Sequence, residues 1–436
     1  MHFTEELFQF LWRKRAYNST NLKTTAGDAV FVINPGKQNR DSGPDFLNAR
    51  VRIKEIEWVG NVELHLKSSM WNEHGHQKDP AYDNVILHVV LEDDRPVIDK
   101  NGSALKTLEL GQRCDAESVE RYTELMGTLD DIPCHKLIRN VEPIKVRQWL
   151  DRMLVQRLER KSSEIEQNVF RLNGDVITTF FRALARSFGA KVNAAPFDRL
   201  AGSIPLRILM AHRNDRLQVE AMLFGMSGLL QGVYKDEYPR ALQREFKFLR
   251  AKYDLTPMNE VAWKWHRIRP SGFPAVRISQ LAGSISTYTG PLMEMLELDD
   301  LEALTNALRS SAHIYWKDHS QFDVPSCNVG VSMGESAARI ILINTIVPFQ
   351  FYMGNARNRS ELKDRAMRIL EELPAEQNRI TRRWKDLGIE CTNSADSQAL
   401  IELYNLECLN KKCLFCGIGG EIIGRTSNRS KSTQTL

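Results

Sequence analysis

The sequence lacks the long apolar run that a membrane-spanning helix requires. A bilayer core takes about 20 consecutive apolar residues; the longest uncharged apolar-leaning stretch, Ile340 to Met353, is shorter and is broken by Asn344 and Pro348. The chain also lacks an excess of either charge, with 59 Lys and Arg against 55 Asp and Glu and a formal net charge of +4. That excludes a protein that grips nucleic acid or a membrane surface by bulk electrostatics, so an anionic partner must be met by local patches. Cysteine is sparse: seven thiols in 436 residues, an odd number, argue against a disulfide framework. Internal repeats are missing too. At the N-terminus Glu5, Glu6 and Arg13 interrupt what would be the apolar region of a secretory signal, so the expectation is a cytoplasmic protein with no membrane partner.

What remains is ordinary globular material. Hydrophobic residues make up 42% and charged residues 26% of the chain, enough apolar surface to bury cores in two or three domains. The pattern changes near residue 140. Before it, after an amphipathic segment carrying Phe3, Leu7, Phe10, Leu11 and Trp12 behind an N-cap at Thr4, β-type signals dominate: Ala29–Asn34, Ala49–Ile53, Glu57–Lys67 and Val85–Leu91. After it, apolar residues recur at helical spacing, as in Val146, Trp149, Leu150, Met153, Leu154 and Leu158. The expected fold class is α+β: a small N-terminal α/β domain with a mixed sheet over residues 1–125, a linker at 126–143, and a larger helical domain at 144–405. A cysteine cluster at 406–420 and a polar, disordered tail at 421–436 complete the expected layout.

The segment Glu57–Lys67 carries the chemistry. Trp58, Gly60, Val62, Leu64 and Leu66 alternate with Asn61, Glu63, His65 and Lys67, so an acid, an imidazole and an amine share one face of a strand. Such a face can simply meet water; it can also bind a cation and steady a developing anion. Asp45, after the Gly43-Pro44 turn, starts the preceding strand. Two carboxylates are the minimum a hard cation needs, so Asp45 and Glu63 are the expected ligands of Mg²⁺ (or Mn²⁺). Just downstream, His74, His76, Asp79 and His88 have the ligand types of a zinc hydrolase and are a rival or an accessory to the carboxylate site.

Two further stretches stand out. Cys408, Cys413 and Cys416 form C-x4-C-x2-C, with Cys391 the nearest fourth thiol; close thiolates suit Zn²⁺ or an iron–sulfur cluster. Trp263, Lys264, Trp265, Arg267, Arg269 and Arg277 interleave aromatic rings with cations, the composition of a groove for DNA or RNA.

The order helix, strand, Asp45-bearing strand, Glu63-bearing strand, strand resembles the core of the PD-(D/E)xK nuclease superfamily. The resemblance implies a phosphodiester hydrolase in which Asp45 and Glu63 hold the metal and Lys67 or His65 activates water. The chain departs from the usual acid-x-Lys spacing, because His65 stands where the lysine is expected. Considered whole, through GPDFLNARV, GNVELHLKSSMW, AYDNVILHVV, EAMLFGMSGLL and CLNKKCLFCGIG, the chain also resembles a bacterial family defined only as a domain of unknown function. The resulting expectations are a nuclease, a catalytically inactive nucleic-acid-binding or scaffold protein on the same fold, or a zinc-dependent hydrolase using His74, His76 and His88.

Overall fold

The computed structural model describes residues 3–100, 102–258, 263–266, 268–287, 292–298, 300–327 and 329–425. The chain folds as an N-terminal mixed α/β part followed by a larger, mostly helical part. It divides into two compact units: Met1–Met153 with Arg379–Glu390 and Leu400–Leu436, and Leu154–Asn378 with Cys391–Ala399.

The first unit opens with helix α1 (Glu5–Lys14), capped by the Thr4 side chain, which accepts from the Leu7 amide at 3.2 Å. Glu5 and Glu6 in its first turn and Arg13 and Lys14 in its last complement the helix dipole. Strands β1 (Val30–Asn34), β2 (Lys37–Gln38), β3 (Phe46–Ile53), β4 (Ile56–Lys67), β5 (Val85–Glu92) and β6 (Thr107–Glu109) form one sheet in the order β1-β3-β4-β5-β6, with β2 paired to the start of β3. β1, β3 and β4 pair antiparallel, whereas β4, β5 and β6 pair parallel. Antiparallel partners can be joined by a tight turn; the parallel step from β4 to β5 needs a crossover. Residues 68–84 supply it, and include the short helix α2 (Met70–Glu73).

Phe8 and Trp12 of α1 pack with Val30, Val51, Val62, Leu64, Leu87 and Val89 of the sheet in one core. Register is adjusted within it. Phe46 faces Val62 and Ala49 faces Gly60, so β3 spends one residue more than β4 over that interval, a β-bulge. Asn48 takes up the extra residue at φ 55°, and Phe46 and Ala49, three residues apart, are both fully buried. Helix α3 (Ala116–Gly127) follows, capped by Asp115 through the Ser118 amide at 2.9 Å. The long helix α4 (Pro143–Arg171) then leads out of this unit.

The first unit also takes back C-terminal segments, unlike the sequential layout expected from the sequence. Arg383 pairs with Asp130, the Tyr404 hydroxyl donates to Asp131 at 2.7 Å, and Arg139 donates to the Asp386 carbonyl at 3.3 Å. These ties fasten the 126–143 segment expected to be a linker. Helix Gly417–Ile423 runs into the expected tail; residues 426–436 lie outside the described residues.

The second unit is built from helices. After α4 come α5 (Val176–Phe188), α6 (Ala190–Ser203), α7 (Leu206–Ala211), α8 (Arg216–Met226), α9 (Glu237–Tyr253) and α10 (Pro274–Thr287). Later members are α11 (Leu301–Leu308), α12 (Glu335–Ile341), α13 (Val347–Ala356) and α14 (Ser360–Glu372). Phe180, Phe181, Phe188, Phe197, Phe224, Trp316 and Phe349 fill its interior. Unlike the reading from the run alone, the helical stretch Glu335–Ala356 that contains it is 22 residues long and apolar enough to cross a membrane by length and composition, but 78% of its most apolar window is buried inside the protein. A π-turn at Leu342–Ile346 precedes Pro348, where the missing N–H removes a helical hydrogen bond.

Candidate metal centre

On β4 the alternation is real, but from Val62 to His65 neither face is wet. Val62 and Leu64 enter the core shared with α1. Glu63 and His65, pointing the other way, are 4% and 0% exposed. The crossover after β4 explains this, because it folds back over the second face. Ser68 and Ser69 fix its start: Asp94 accepts from the Ser69 amide at 2.9 Å, from its hydroxyl at 2.9 Å and from the Ser68 hydroxyl at 3.0 Å. Trp71 of α2 packs with Val85 and Val97, with Tyr82 against them. Gly75 then turns the chain at φ 77°, a conformation that suits glycine, and places an imidazole on each side of the turn.

The result is a cluster of histidines drawn from β4, the crossover and β5. One nitrogen each of His65, His74 and His76 lies within 4.8 Å of the others. His65 Nε2 is 3.2 Å from His74 Nδ1. Glu63 Oε1 is 3.4 Å from His76 Nε2 and 3.6 Å from His65 Nε2. Ligands held tetrahedrally at about 2.0–2.1 Å from an ion such as zinc lie about 3.3 Å apart, close to the 3.2 Å between His65 Nε2 and His74 Nδ1. His76 Nε2 is buried without a hydrogen-bond partner, the kind of orphan that a metal bond would satisfy. Behind His65, its Nδ1 meets Nε2 of the fully buried His88 at 2.9 Å. That contact has the form of the outer partner that fixes a ligand's tautomer. His76 is also stacked on Tyr82, with ring centroids 3.8 Å apart.

Electrostatics favour the ligating form of the imidazoles. Burial, followed by the neighbouring histidines, pushes His65 down to about 2, and burial pushes His88 to about 3; both are neutral. The carboxylates move the other way. Burial and then Glu63 raise Asp45 to about 7, and burial raises Glu63 to about 8, with Glu5 adding repulsion. Asp45 is held at the mouth of β3 by three contacts. Its Oδ2 accepts from the Leu64 amide at 3.0 Å, its Oδ1 accepts from Gln9 Nε2 at 2.7 Å, and its own amide donates to Glu63 Oε2 at 3.0 Å. Glu5 is also drawn in: burial raises its carboxyl, Asp45 raises it further, and His74 and His76 oppose the rise. Packed imidazoles and carboxylates of this kind suit a borderline transition ion and can also shuttle protons.

The structure therefore brings Asp45, Glu63, His65, His74, His76 and His88 together. Lys67 lies outside that group; it is exposed at the end of β4, 3.7 Å from Glu92. Asp79 caps a turn, accepting from the Ala81 amide at 2.9 Å. Nothing in the sequence pattern tied Glu5, Gln9, Trp71 or Tyr82 to this group. The carboxylate-only Mg²⁺ pair is corrected in the same place, because the clustered donor atoms are imidazole nitrogens and Mg²⁺ prefers oxygen.

The cysteine expectation is overturned. Cys408, Cys413 and Cys416 are free thiols, 7%, 7% and 8% exposed. Among the described residues the sulfurs are dispersed with no close Sγ–Sγ pair, and no cysteine joins a group able to share an ion. Cys391 belongs to the second unit. Burial raises Cys413 to about 12 and Cys416 to about 11, so the thiols stay protonated and pack as small apolar groups. Among the described residues these thiols are not arranged as a shared zinc or iron–sulfur site.

The aromatic and basic stretch is partly committed to packing. Trp263 donates its indole N–H to the Ser227 carbonyl at 3.1 Å and meets Phe197 edge-on. The Lys264 backbone exchanges two hydrogen bonds with Asn193, and Trp265 packs on Phe273. Arg277 is half-buried and donates to Gln280 at 3.1 Å, whereas Lys264 and Arg269 are exposed. Arg267 lies outside the described residues.

Comparison with curated proteins and with solved structures gave no match. A family described as "Protein of unknown function (DUF2851)" matches residues 5–379, a span that includes the whole imidazole cluster and most of the helical unit. The chain belongs to the DUF2851 family.

Proposed function

We propose that the chain is a metal-dependent hydrolase whose single transition ion, Zn²⁺ in the first instance, would be held by His65, His74 and His76, with the fourth position left to water beside Glu63. The observation that carries this reading is that one nitrogen each of His65, His74 and His76 lies within 4.8 Å of the other two. An ion bound there supplies Lewis acidity and lowers the pKa of water. The chain supplies the rest. His88 holds His65 in the tautomer that leaves Nε2 free, and Asp45 positions Glu63 through its amide. Glu63, whose Oε1 lies 3.4 Å from His76 Nε2, would take and return a proton. His74 is exposed, which gives a substrate a way in.

Metal analysis of the purified protein and a zinc titration test the site. Wild type should bind about one ion per chain and His76→Ala should lose it, as expected for a ligand of a mononuclear centre. Phosphodiester hydrolysis is then assayed on bis-p-nitrophenyl phosphate and on single-stranded DNA and RNA. Glu63→Gln should retain the ion and lose turnover. Zinc binding that ignores His76→Ala overturns the site; zinc binding with no hydrolysis favours a metal-stabilised binding protein.

A further inference from the structure

The helical unit contains a recess lined entirely by its own residues. α4 ends at Arg171 and α5 begins at Val176, so the two helices form a hairpin whose facing sides enclose a cavity of about 430 Å³. One wall is the α4 stripe Glu164, Gln167, Asn168 and Arg171; the other is Thr179, Arg182, Ala183 and Arg186 of α5. Both run i, i+3, i+4, i+7, the spacing that places side chains along one helix face. Asp198 of α6 and the buried Phe349 of α13 also line the recess.

The charges around it do not cancel. Glu164 is neutralised by Arg160 at 2.6 Å and Lys161 at 2.9 Å, and Asp198 by Arg182 at 2.9 Å. Arg171 donates only to the Asn168 side-chain oxygen, at 3.4 Å, and neither it nor Arg186 has an acidic partner among the described residues. Two guanidinium groups therefore border one recess with no carboxylate spent on them. Guanidinium forks match phosphate oxygens. The side-chain amides of Gln167 and Asn168 can read a polar ring edge, and Phe349 gives the recess an apolar floor. The volume falls in the range of small-molecule sites, about 300–1,000 Å³.

We propose that this recess binds a phosphomonoester of mononucleotide size, with Arg171 and Arg186 holding the phosphate. The same chemistry is presented by a free nucleotide and by the phosphorylated end of a strand. The proposal is independent of the metal centre, since none of its residues contributes to that cluster.

Isothermal titration of the full-length protein with AMP, with adenosine, and with a short oligothymidine with and without a 5′-phosphate tests it. The expected result is a Kd for AMP or the phosphorylated oligonucleotide of about 1 mM or tighter, with no binding of adenosine or the unphosphorylated strand. Preference between the two phosphorylated probes identifies the source. Arg171→Gln and Arg186→Gln, both at exposed positions, should each weaken binding about tenfold, the worth of a charge-assisted hydrogen bond. Arg199→Gln, exposed on α6 outside the recess, should not. Ala183→Trp, which fills the cavity without changing its charge, should abolish binding. Failure of both phosphorylated probes overturns the proposal, as does equal binding of adenosine. So does an Arg199→Gln loss as large as that of the two lining arginines.

Discussion

The sharpest test of the metal centre is a residue that would not touch the ion. A neutral imidazole carries one proton, and a metal on His65 Nε2 requires that proton to sit on Nδ1. Nδ1 lies 2.9 Å from His88 Nε2, and both rings are fully buried, so His88 Nε2 is the acceptor found for it among the described residues. His88→Phe keeps a ring of similar shape against Trp71, 5.3 Å away, and removes both nitrogens. The Nδ1 proton then has no partner, a buried vacancy worth about 1–3 kcal/mol. The other tautomer, with the proton on Nε2 donated to His74 at 3.2 Å, becomes the better one and blocks the ligand lone pair. Zinc affinity should therefore fall about 10–100-fold, the usual loss for an outer partner of a ligating histidine, or about 1.4–2.7 kcal/mol. The assay is competition for Zn²⁺ against a chromophoric chelator, alongside thermal unfolding of the metal-free protein. His88→Gln, whose amide oxygen can accept from Nδ1, should recover part of the loss. Unchanged affinity in His88→Phe would refute the tautomer argument, and the assignment of His65 as a ligand with it.

Other outcomes follow from single contacts. Gly225→Ala places a methyl group 2.2 Å from the Phe246 ring between α8 and α9; overpacking of this kind should cost about 1–3 kcal/mol, read as a lower melting temperature. Cys413→Ser should leave metal content unchanged, and Cys413 in the native protein should resist iodoacetamide, because burial holds its thiol at about 12; rapid native alkylation would show the site to be open. Asp94 is kept below its ordinary 3.8 by hydrogen bonds from Ser69 and Ser68. A carboxyl lowered on folding adds stability above its unfolded value and loses it as pH falls through the folded one. The stability gap between wild type and Asp94→Ala should thus be constant at neutral pH and shrink below pH 3.8. A gap that persists in acid would mean that the anchor does not depend on the charge.

The fold class was legible because periodicity changes once and cleanly. The alternation in Glu57–Lys67 and the 3.6-residue recurrence from Val146 onward each follow from which face of an element is buried. The return of the C-terminal segments to the first unit was not legible. It depends on Asp130, Asp131 and Arg139 meeting Arg383, Tyr404 and Asp386 across more than 240 residues of sequence, and single charged residues in polar segments carry no periodic signal. The cysteines failed for a related reason. Spacing of C-x4-C-x2-C is necessary for a shared ion but says nothing about where the sulfurs point, and here they are buried as separate small groups.

The centre itself was half legible, and the missing half has one cause. Sequence alternation gave Glu63 and His65 a common face, and the nearby His74, His76 and His88 were visible as a concentration of imidazoles. Whether that face met water or protein could not be read from β4 alone, because the answer lies in the handling of the next connection. A hairpin after Lys67 would have left Glu63 and His65 solvated. The parallel pairing of β4 with β5 instead obliges a crossover, and the crossover of residues 68–84 has to pass over a sheet face. It passes over the one bearing the acid and the imidazole, carrying two more histidines with it. Burial of the polar face and assembly of the donor set are thus the same event, set by the direction of β5. Disrupting the crossover by changing Asp94, Trp71 or Gly75 should therefore weaken metal affinity without altering any donor atom, whereas Lys67, beyond the covered part of β4, should be replaceable without effect on it.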